Sequence, residues 1–360
     1  MRCDIVLDSV FQVDYNVLEN KRLEQAMKLN LQTIQDITSG AVRVTQADDG
    51  FHFFRFTSRQ EALYKTRNEG HYKRTFCTSG VQLAFQTNSE KLLLKVSVSP
   101  ITTRRYFAFE VFVNGTRIGS INNFEGVELP RSYTTVTLPL GEFENEFTLG
   151  TGQKDVRIYF PWAVEAVLQE ITLDDGAIVT PLKRKKKLLC FGDSITQGFD
   201  ALYSSNKYIS QLADALDAEE FNKAIGGEIF FPALAQEKDD FVPDYITVAY
   251  GTNDWSACTE ETFRANCKAF FTNLVENYPE TKIYAITPTW RKDHTLEKPF
   301  GAFEKVEQIV RSIAAEFENI TVISGFDFVP HDENYFADLR LHPNDEGFKH
   351  YFANLIKKLL

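Results

Sequence analysis

No apolar run in this 360-residue sequence approaches the ~20 residues that a membrane-spanning helix needs. The first residues, Met1-Arg2-Cys3-Asp4-Ile5-Val6, lack the basic segment, apolar stretch and small-residue cleavage site of a secretory signal. Cysteine is sparse: Cys3, Cys77, Cys190, Cys258 and Cys267 form an odd, scattered set without a Cys-x-x-Cys pair. Such spacing argues for free thiols rather than a disulfide framework, so a cytoplasmic location without a membrane partner is expected. An excess of positive charge is missing too. Lys and Arg total 39 against 50 Asp and Glu, a net charge of −11, which argues against a phosphate-binding surface and hence against nucleic acid as a partner. None of His52, His71, His294, His331 and His350 clusters with Cys, Asp or Glu at metal-ligand spacing, so no metal and no other cofactor is expected.

What is present is ordinary globular material, 43% apolar and 25% charged, rich in Phe and long enough for two domains. Leu23, Met27, Leu31 and Ile34 recur at helical spacing up to Ser39-Gly40, which predicts a short amphipathic helix. From about residue 41 the period changes. Leu92, Leu94, Val96 and Val98 alternate with polar neighbours, as do Phe107, Phe109, Val111 and Val113 before the hairpin signal Asn114-Gly115. Val156, Ile158 and Phe160 repeat the alternation up to Pro161-Trp162. With few helical stretches between them, these runs predict an antiparallel, jelly-roll-like β-sandwich over residues 1–180. Tyr106, Tyr133, Tyr159 and Trp162 are candidates for stacking on a sugar, although aromatics on strands more often serve as core. The basic run in 181–187 reads as a solvated linker.

From 188 to 360 short apolar runs alternate with helical patterns. Strands are expected at Leu188–Phe191, Phe221–Ile225, Tyr245–Tyr250, Lys282–Thr287 and Ile320–Ser324. This alternation implies a parallel sheet covered on both faces, with ligands bound beyond the carboxyl ends of its strands.

Four fragments follow those strands: Gly192-Asp193-Ser194, Ile225-Gly226-Gly227, Gly251-Thr252-Asn253-Asp254, and Asp338 to Asn344. Each alone could be a turn or a cap. Together they supply the parts of acyl transfer. Ser194 lies where a helix amino terminus would favour a negative charge, and is the candidate nucleophile. His342 is the candidate base, with Asp338 to orient it and Glu333 and Asp345 as fallback acids. Oxyanion donors are the N–H groups of Ser194 and Gly227 and the Asn253 amide. Trp255, Trp290, Arg291 and Phe199 are expected along the cleft, whereas Phe230 and Phe231 suit cleft or core equally. His52, His71, His294, His331 and His350 read as surface or structural residues.

In order and content these blocks resemble the SGNH, or GDSL-like, hydrolases, whose four letters correspond to Ser194, Gly227, Asn253 and His342. The resemblance implies a three-layer α/β/α, flavodoxin-like fold, metal-free serine hydrolysis of esters, and an oxyanion hole from those donors. No Gly-x-Ser-x-Gly elbow of the α/β-hydrolases surrounds Ser194. One departure stands out: the family's aspartate lies three residues before the histidine, where this chain has Leu339, and Asp338 lies four before. Either a one-residue bulge brings Asp338 to the imidazole or a backbone carbonyl orients His342. A sandwich ahead of such a domain is similar to some carbohydrate esterases, which implies acetyl or other small-acyl esters of a small molecule or oligosaccharide as substrates. The alternatives are lipid or thioester acyl groups, and an inert hydrolase fold that binds carbohydrate.

Overall fold

Along Lys91–Pro100, Leu92, Leu94, Val96 and Val98 are buried on one face while their neighbours keep solvent contact. In a computed structural model that describes residues 26–129, 131 and 137–359, such strands build two six-stranded antiparallel sheets. One runs Arg43–Ala47, Gly50–Phe54, Val164–Leu173, Lys91–Pro100, Gly141–Thr148, with Met27–Lys28 also paired to Val164–Leu173. The other runs Val179–Pro181, Gln82–Thr87, Lys154–Tyr159, Ala108–Val113, Thr116–Asn122, with Thr38–Ser39 beside Gln82–Thr87. Their inner faces share a core that includes Phe85, Leu94, Phe109, Ile158 and Phe160. The Asn114-Gly115 hairpin forms as expected, with both residues at positive φ.

The amino-terminal helix is shorter than its spacing suggests. It covers Leu31–Ile37, Met27 lies in a strand, and Leu23, like Tyr133 and Cys3, falls outside the described residues. Two further helices, Ser58–Arg67 and Glu69–Arg74, correct the expectation of few helical stretches in this part. Reciprocal bonds between Thr57 and Gln60 cap the first, and the Asn68 side chain caps the second. Gln60 and Tyr64 are the buried residues of the first helix and the second buries none, so their apolar periodicity is faint. They pack against the carboxyl-terminal part of the chain, where Phe56 and Tyr64 join its core.

There a five-stranded, all-parallel sheet runs Ala218–Asn222, Lys186–Gly192, Tyr245–Ala249, Lys282–Ile286, Ile320–Ile323. Side chains along Lys186–Gly192 alternate between its faces: Leu189 and Phe191 join helices Glu260–Asn277 and Lys305–Ala314 in one core, Leu188 and Cys190 join Tyr208–Ala215 and Asp345–Leu359 in another. The result is a three-layer α/β/α domain. Connections reverse direction between Lys186–Gly192 and Tyr245–Ala249, so a crevice opens beyond their carboxyl ends, where the Ser194 and Asn253 blocks begin. The basic run is only partly a connection, since Pro181 belongs to a sandwich strand and Lys186 opens the parallel sheet. Within it Lys183 Nζ donates to the Thr38 carbonyl at 3.0 Å and Arg184 pairs with Asp214. Among the described residues no helix is long and apolar enough to cross a membrane.

Candidate active site

Asp193 holds Ser194 in place. Its carboxylate accepts the Ile195 N–H at 2.9 Å and caps the short helix Ser194–Gln197, so the turn after the strand is fixed by its own side chain. Burial pushes the Asp193 carboxyl up to about 6, against the Ile195 N–H, His342 and Arg291, which favour the anion. Gly198 ends the helix at φ +112, where a Cβ would lie 2.2 Å from Lys207 Cδ.

Ser194 Oγ lies 2.8 Å from His342 Nε2, and His342 Nδ1 lies 3.0 Å from Asp338 Oδ2. The arrangement suits a neutral imidazole that donates from Nδ1 to the carboxylate and accepts the serine proton at Nε2. Leu339, at φ +58, supplies the bulge. It allows Asp338 Oδ1 to accept the N–H groups of Arg340 (2.9 Å), Leu341 (2.7 Å) and His342 (3.1 Å) while Oδ2 faces the ring. The fallback acids are occupied elsewhere: Glu333 pairs with Lys292, and Asp345 accepts from Leu202 N and Asn206 Nδ2.

A second carboxylate also faces the imidazole. Asp200 Oδ2 is 3.5 Å from His342 Nδ1, and Asp200 is held by Arg104 Nε and Nη2 at 2.5 and 2.8 Å and by the Tyr106 hydroxyl at 2.9 Å. Sequence spacing does not bring these groups together, yet donor atoms of Asp200, Asp338 and His342 lie within 4.8 Å of one another. Of the three, Asp200 is the member that the sequence did not point to. The bonds of the grouping are those of an acid–imidazole network: Arg104 binds both Asp200 oxygens, and Asp338 accepts three backbone N–H groups on Oδ1 while Oδ2 meets the ring.

The oxyanion loop is braced on three sides. Gly227 takes φ +85, and a Cβ there would lie 3.5 Å from Arg74 Nη1 and 3.6 Å from His71 Nε2. Gly226 N donates to Gln197 Oε1 at 2.7 Å, while its carbonyl accepts Arg74 Nη1 at 2.5 Å. Asn253 Nδ2 donates to the Glu228 carbonyl at 3.0 Å, which fixes the amide and leaves it a second N–H. The buried Glu228 side chain is held by Arg67 at 2.7 Å and faces His71 Nδ1 at 3.6 Å. Burial opposes its anion, yet His71 and Arg67 hold the carboxyl below the usual carboxylate range.

Of the expected cleft walls only Phe199 packs on the catalytic constellation, its ring 5.5 Å from that of His342 and 4.8 Å from that of Trp162. Trp255 is core instead, donating its indole N–H to the Gly301 carbonyl at 2.9 Å. Trp290 packs on His331 and Phe336. Arg291 is a brace, paired with Asp293 and donating to Thr252 O and Oγ1 at the start of the Asn253 helix. Phe230 is core, and Phe231 lies beneath the Arg67 guanidinium at 3.9 Å. Tyr106, Tyr159 and Trp162 are buried at the junction with the hydrolase-like part, Tyr159 donating to Asp214 and Trp162 to the Ala201 carbonyl, so they form no sugar platform. Sequence reasoning missed Asp200, Arg104, His71 and Arg74. Only Asp200, six residues past Ser194, carried a positional hint.

Comparison with known proteins agrees with this arrangement. The model of the GDSL-like lipase/acylhydrolase family matches residues 190–350. A search of curated proteins found no match. Among solved structures the chain is similar to a salicylyl-acyltransferase from a tetracycline biosynthetic pathway, with a TM-score of 0.76, 18% identity, and 93% of this chain and 97% of that one covered. It is also similar to a chain from Bacteroides ovatus described as a GDSL-like lipase (TM-score 0.72, 17% identity, 93% and 97% covered). An acetyl xylan esterase from the rumen bacterium Butyrivibrio proteoclasticus aligns with a TM-score of 0.59 and 15% identity, over 93% and 97% of the two chains. These likenesses extend across both the sandwich and the parallel-sheet part. Residues 190–350 of this chain are therefore similar to the GDSL-like lipase/acylhydrolase (SGNH) family, and the match supports an enzyme of the esterase class.

Proposed function

We propose that the enzyme hydrolyses small-acyl, above all acetyl, esters carried on carbohydrate, through an acyl-enzyme on Ser194. The observation that carries this reading is the continuous chain Ser194 Oγ, His342 Nε2, His342 Nδ1, Asp338 Oδ2, with steps of 2.8 and 3.0 Å. Ser194 attacks the ester carbonyl as His342 takes its proton, and Asp338 steadies the imidazolium. The carbonyl oxygen becomes an oxyanion held by the N–H groups of Ser194 and Gly227 and the second N–H of Asn253. His342 then gives its proton to the departing sugar hydroxyl. Water, deprotonated by the same imidazole, releases the acid and restores Ser194.

Two features favour a small acyl group. Ser194 is only 4% exposed, and the His342 ring bonded to it packs on Phe199, which in turn lies against Gly226. The likeness to an acetyl xylan esterase supports carbohydrate as the carrier. A series of p-nitrophenyl esters from two to twelve carbons, with acetylated xylo- and cello-oligosaccharides, tests the reading. Turnover should be highest on acetyl and fall at least about 10³-fold in Ser194→Ala. An optimum at eight carbons or longer would replace the acetyl reading with a lipid one, and turnover indifferent to Ser194 would end the serine mechanism.

A further inference from the structure

We propose that Asp200, presented by Arg104 and Tyr106 of the sandwich, is a positioning residue for His342, so that a second carboxylate on Nδ1 sets the charge felt by the base. The inference rests on the esterase reading of Ser194 and His342. Three observations carry it. Asp200 Oδ2 lies 3.5 Å from His342 Nδ1, half an ångström farther than Asp338 Oδ2 at 3.0 Å, close enough for strong charge coupling. Second, Asp200 accepts three bonds from the sandwich, Arg104 Nε (2.5 Å) and Tyr106 OH (2.9 Å) on Oδ1 and Arg104 Nη2 (2.8 Å) on Oδ2, which leaves Oδ2 turned to the imidazole. Third, Asp200 sits at φ +72, a conformation that costs an L residue energy and that folds retain where geometry serves a function.

A buried Arg–Asp pair kept only for stability would gain little over apolar packing. Here the pair stands on the third atom of the relay, in the turn that leaves the nucleophile helix. Arg104 and Asp200 carry opposite charges, so they act against each other at His342. Among the described residues the other charged groups around them include Asp338, Asp193 under the nucleophile turn with Arg291 beside it, Arg340 beside Asp338, and Asp345, which acts on Tyr106. Removing one member of the opposed pair therefore tilts the balance in a direction that its sign dictates.

The test is the acidic limb of the pH dependence of kcat/KM for p-nitrophenyl acetate, which reports protonation of the free enzyme's base. Asp200→Asn leaves Arg104 uncompensated, disfavours the imidazolium and moves the limb to lower pH by roughly one unit. Arg104→Gln leaves Asp200 uncompensated and moves it upward by a similar amount. The double variant returns the limb to near its wild-type place. A packing role alone would lower the rate without opposed shifts, and shifts in the same direction, or none, in variants with native circular dichroism would overturn the proposal. Should either variant fail to fold, Tyr106→Phe, which keeps the ring and removes one bond to Asp200, must still move the limb upward, and an unmoved limb counts against the role. The His342 ring proton, assigned with His342→Gln and titrated by NMR in the same proteins, must follow the same pattern. That readout needs no substrate, so a failed esterase reading and a failed Asp200 role give different results.

Discussion

Leu339 is the residue on which the departure from the family's spacing turns. Its φ of +58 adds the extra residue that lets Asp338 reach His342 from four positions upstream. An L side chain held there costs about 1–2 kcal/mol, less for Gly and more for a β-branched residue. Leu339→Gly should therefore change stability by no more than about 1 kcal/mol and leave kcat near wild type, whereas Leu339→Val should lower both the urea midpoint and kcat. A Val variant as stable and active as the Gly one would remove the strain argument. Asp254, beside Asn253, makes a different prediction. Burial pushes its carboxyl up to about 7, although the Phe230 and Gly251 N–H groups favour the anion. The folded protein then keeps this proton to about pH 7, while the unfolded chain releases it near the ordinary aspartate value of 3.8. Its contribution to stability is full below the lower value, falls as pH rises between the two, and is constant above. Thermal melts across that interval should show Asp254→Asn losing this part of the slope, and parallel pH curves for the two proteins would contradict the raised value.

At the level of elements, helices Ser58–Arg67 and Glu69–Arg74 act on the oxyanion loop. They bring Arg67 and His71 to the buried Glu228, and Arg74 to the Gly226 carbonyl. Arg67→Met leaves the buried Glu228 carboxylate without its guanidinium partner and should cost about 2 kcal/mol or more in urea denaturation. It should reduce kcat more than it raises KM, because a displaced Gly227 N–H weakens binding of the transition state rather than of the ester. A pure rise in KM would place these helices on the substrate instead. The same helices mark the reach of sequence reading. Strands with every second residue buried, such as Lys91–Pro100, and apolar runs alternating with helices after residue 188 declare themselves through periodicity. The Ser194, Gly227 and Asn253 blocks were legible because each follows a strand end within a few residues, whereas the Asp338–His342 block lies well beyond the last strand and was read from its acid and histidine. Helix Ser58–Arg67 buries only Gln60 and Tyr64, and so leaves almost no apolar stripe to read. Asp200 was illegible for another reason: its partner Arg104 is 96 residues away, and only the tertiary fold makes them neighbours.

Across the whole molecule, the sandwich and the α/β/α part exchange core residues and buried charges. Phe56 and Tyr64 complete the core beneath the parallel sheet, and Phe199 from the nucleophile turn belongs to the core of the sandwich. The buried Arg55 donates to the carbonyls of Asn222 and Ala224 at 2.5 and 3.2 Å and to those of Cys77 and Arg74 at 2.5 and 3.1 Å, tying the parallel sheet to the chain that precedes its helices. Lys207 Nζ, fully buried, donates to Ser79 Oγ at 2.8 Å and to Glu220 at 2.9 Å. Cutting the chain at 182 would expose these apolar faces and strand charges that cannot be desolvated alone. The full chain should accordingly unfold in a single calorimetric transition, with calorimetric and van't Hoff enthalpies equal. A fragment of residues 182–360 should show no cooperative melt and no Ser194-dependent esterase activity, and adding the separate amino-terminal fragment should restore both if the two can associate. Two resolved transitions in the full chain, or a fragment that melts cooperatively and cleaves p-nitrophenyl acetate at the full chain's rate, would show instead that the sandwich is an appendage, and that neither Arg55 nor Arg104 is needed to hold the catalytic groups in register.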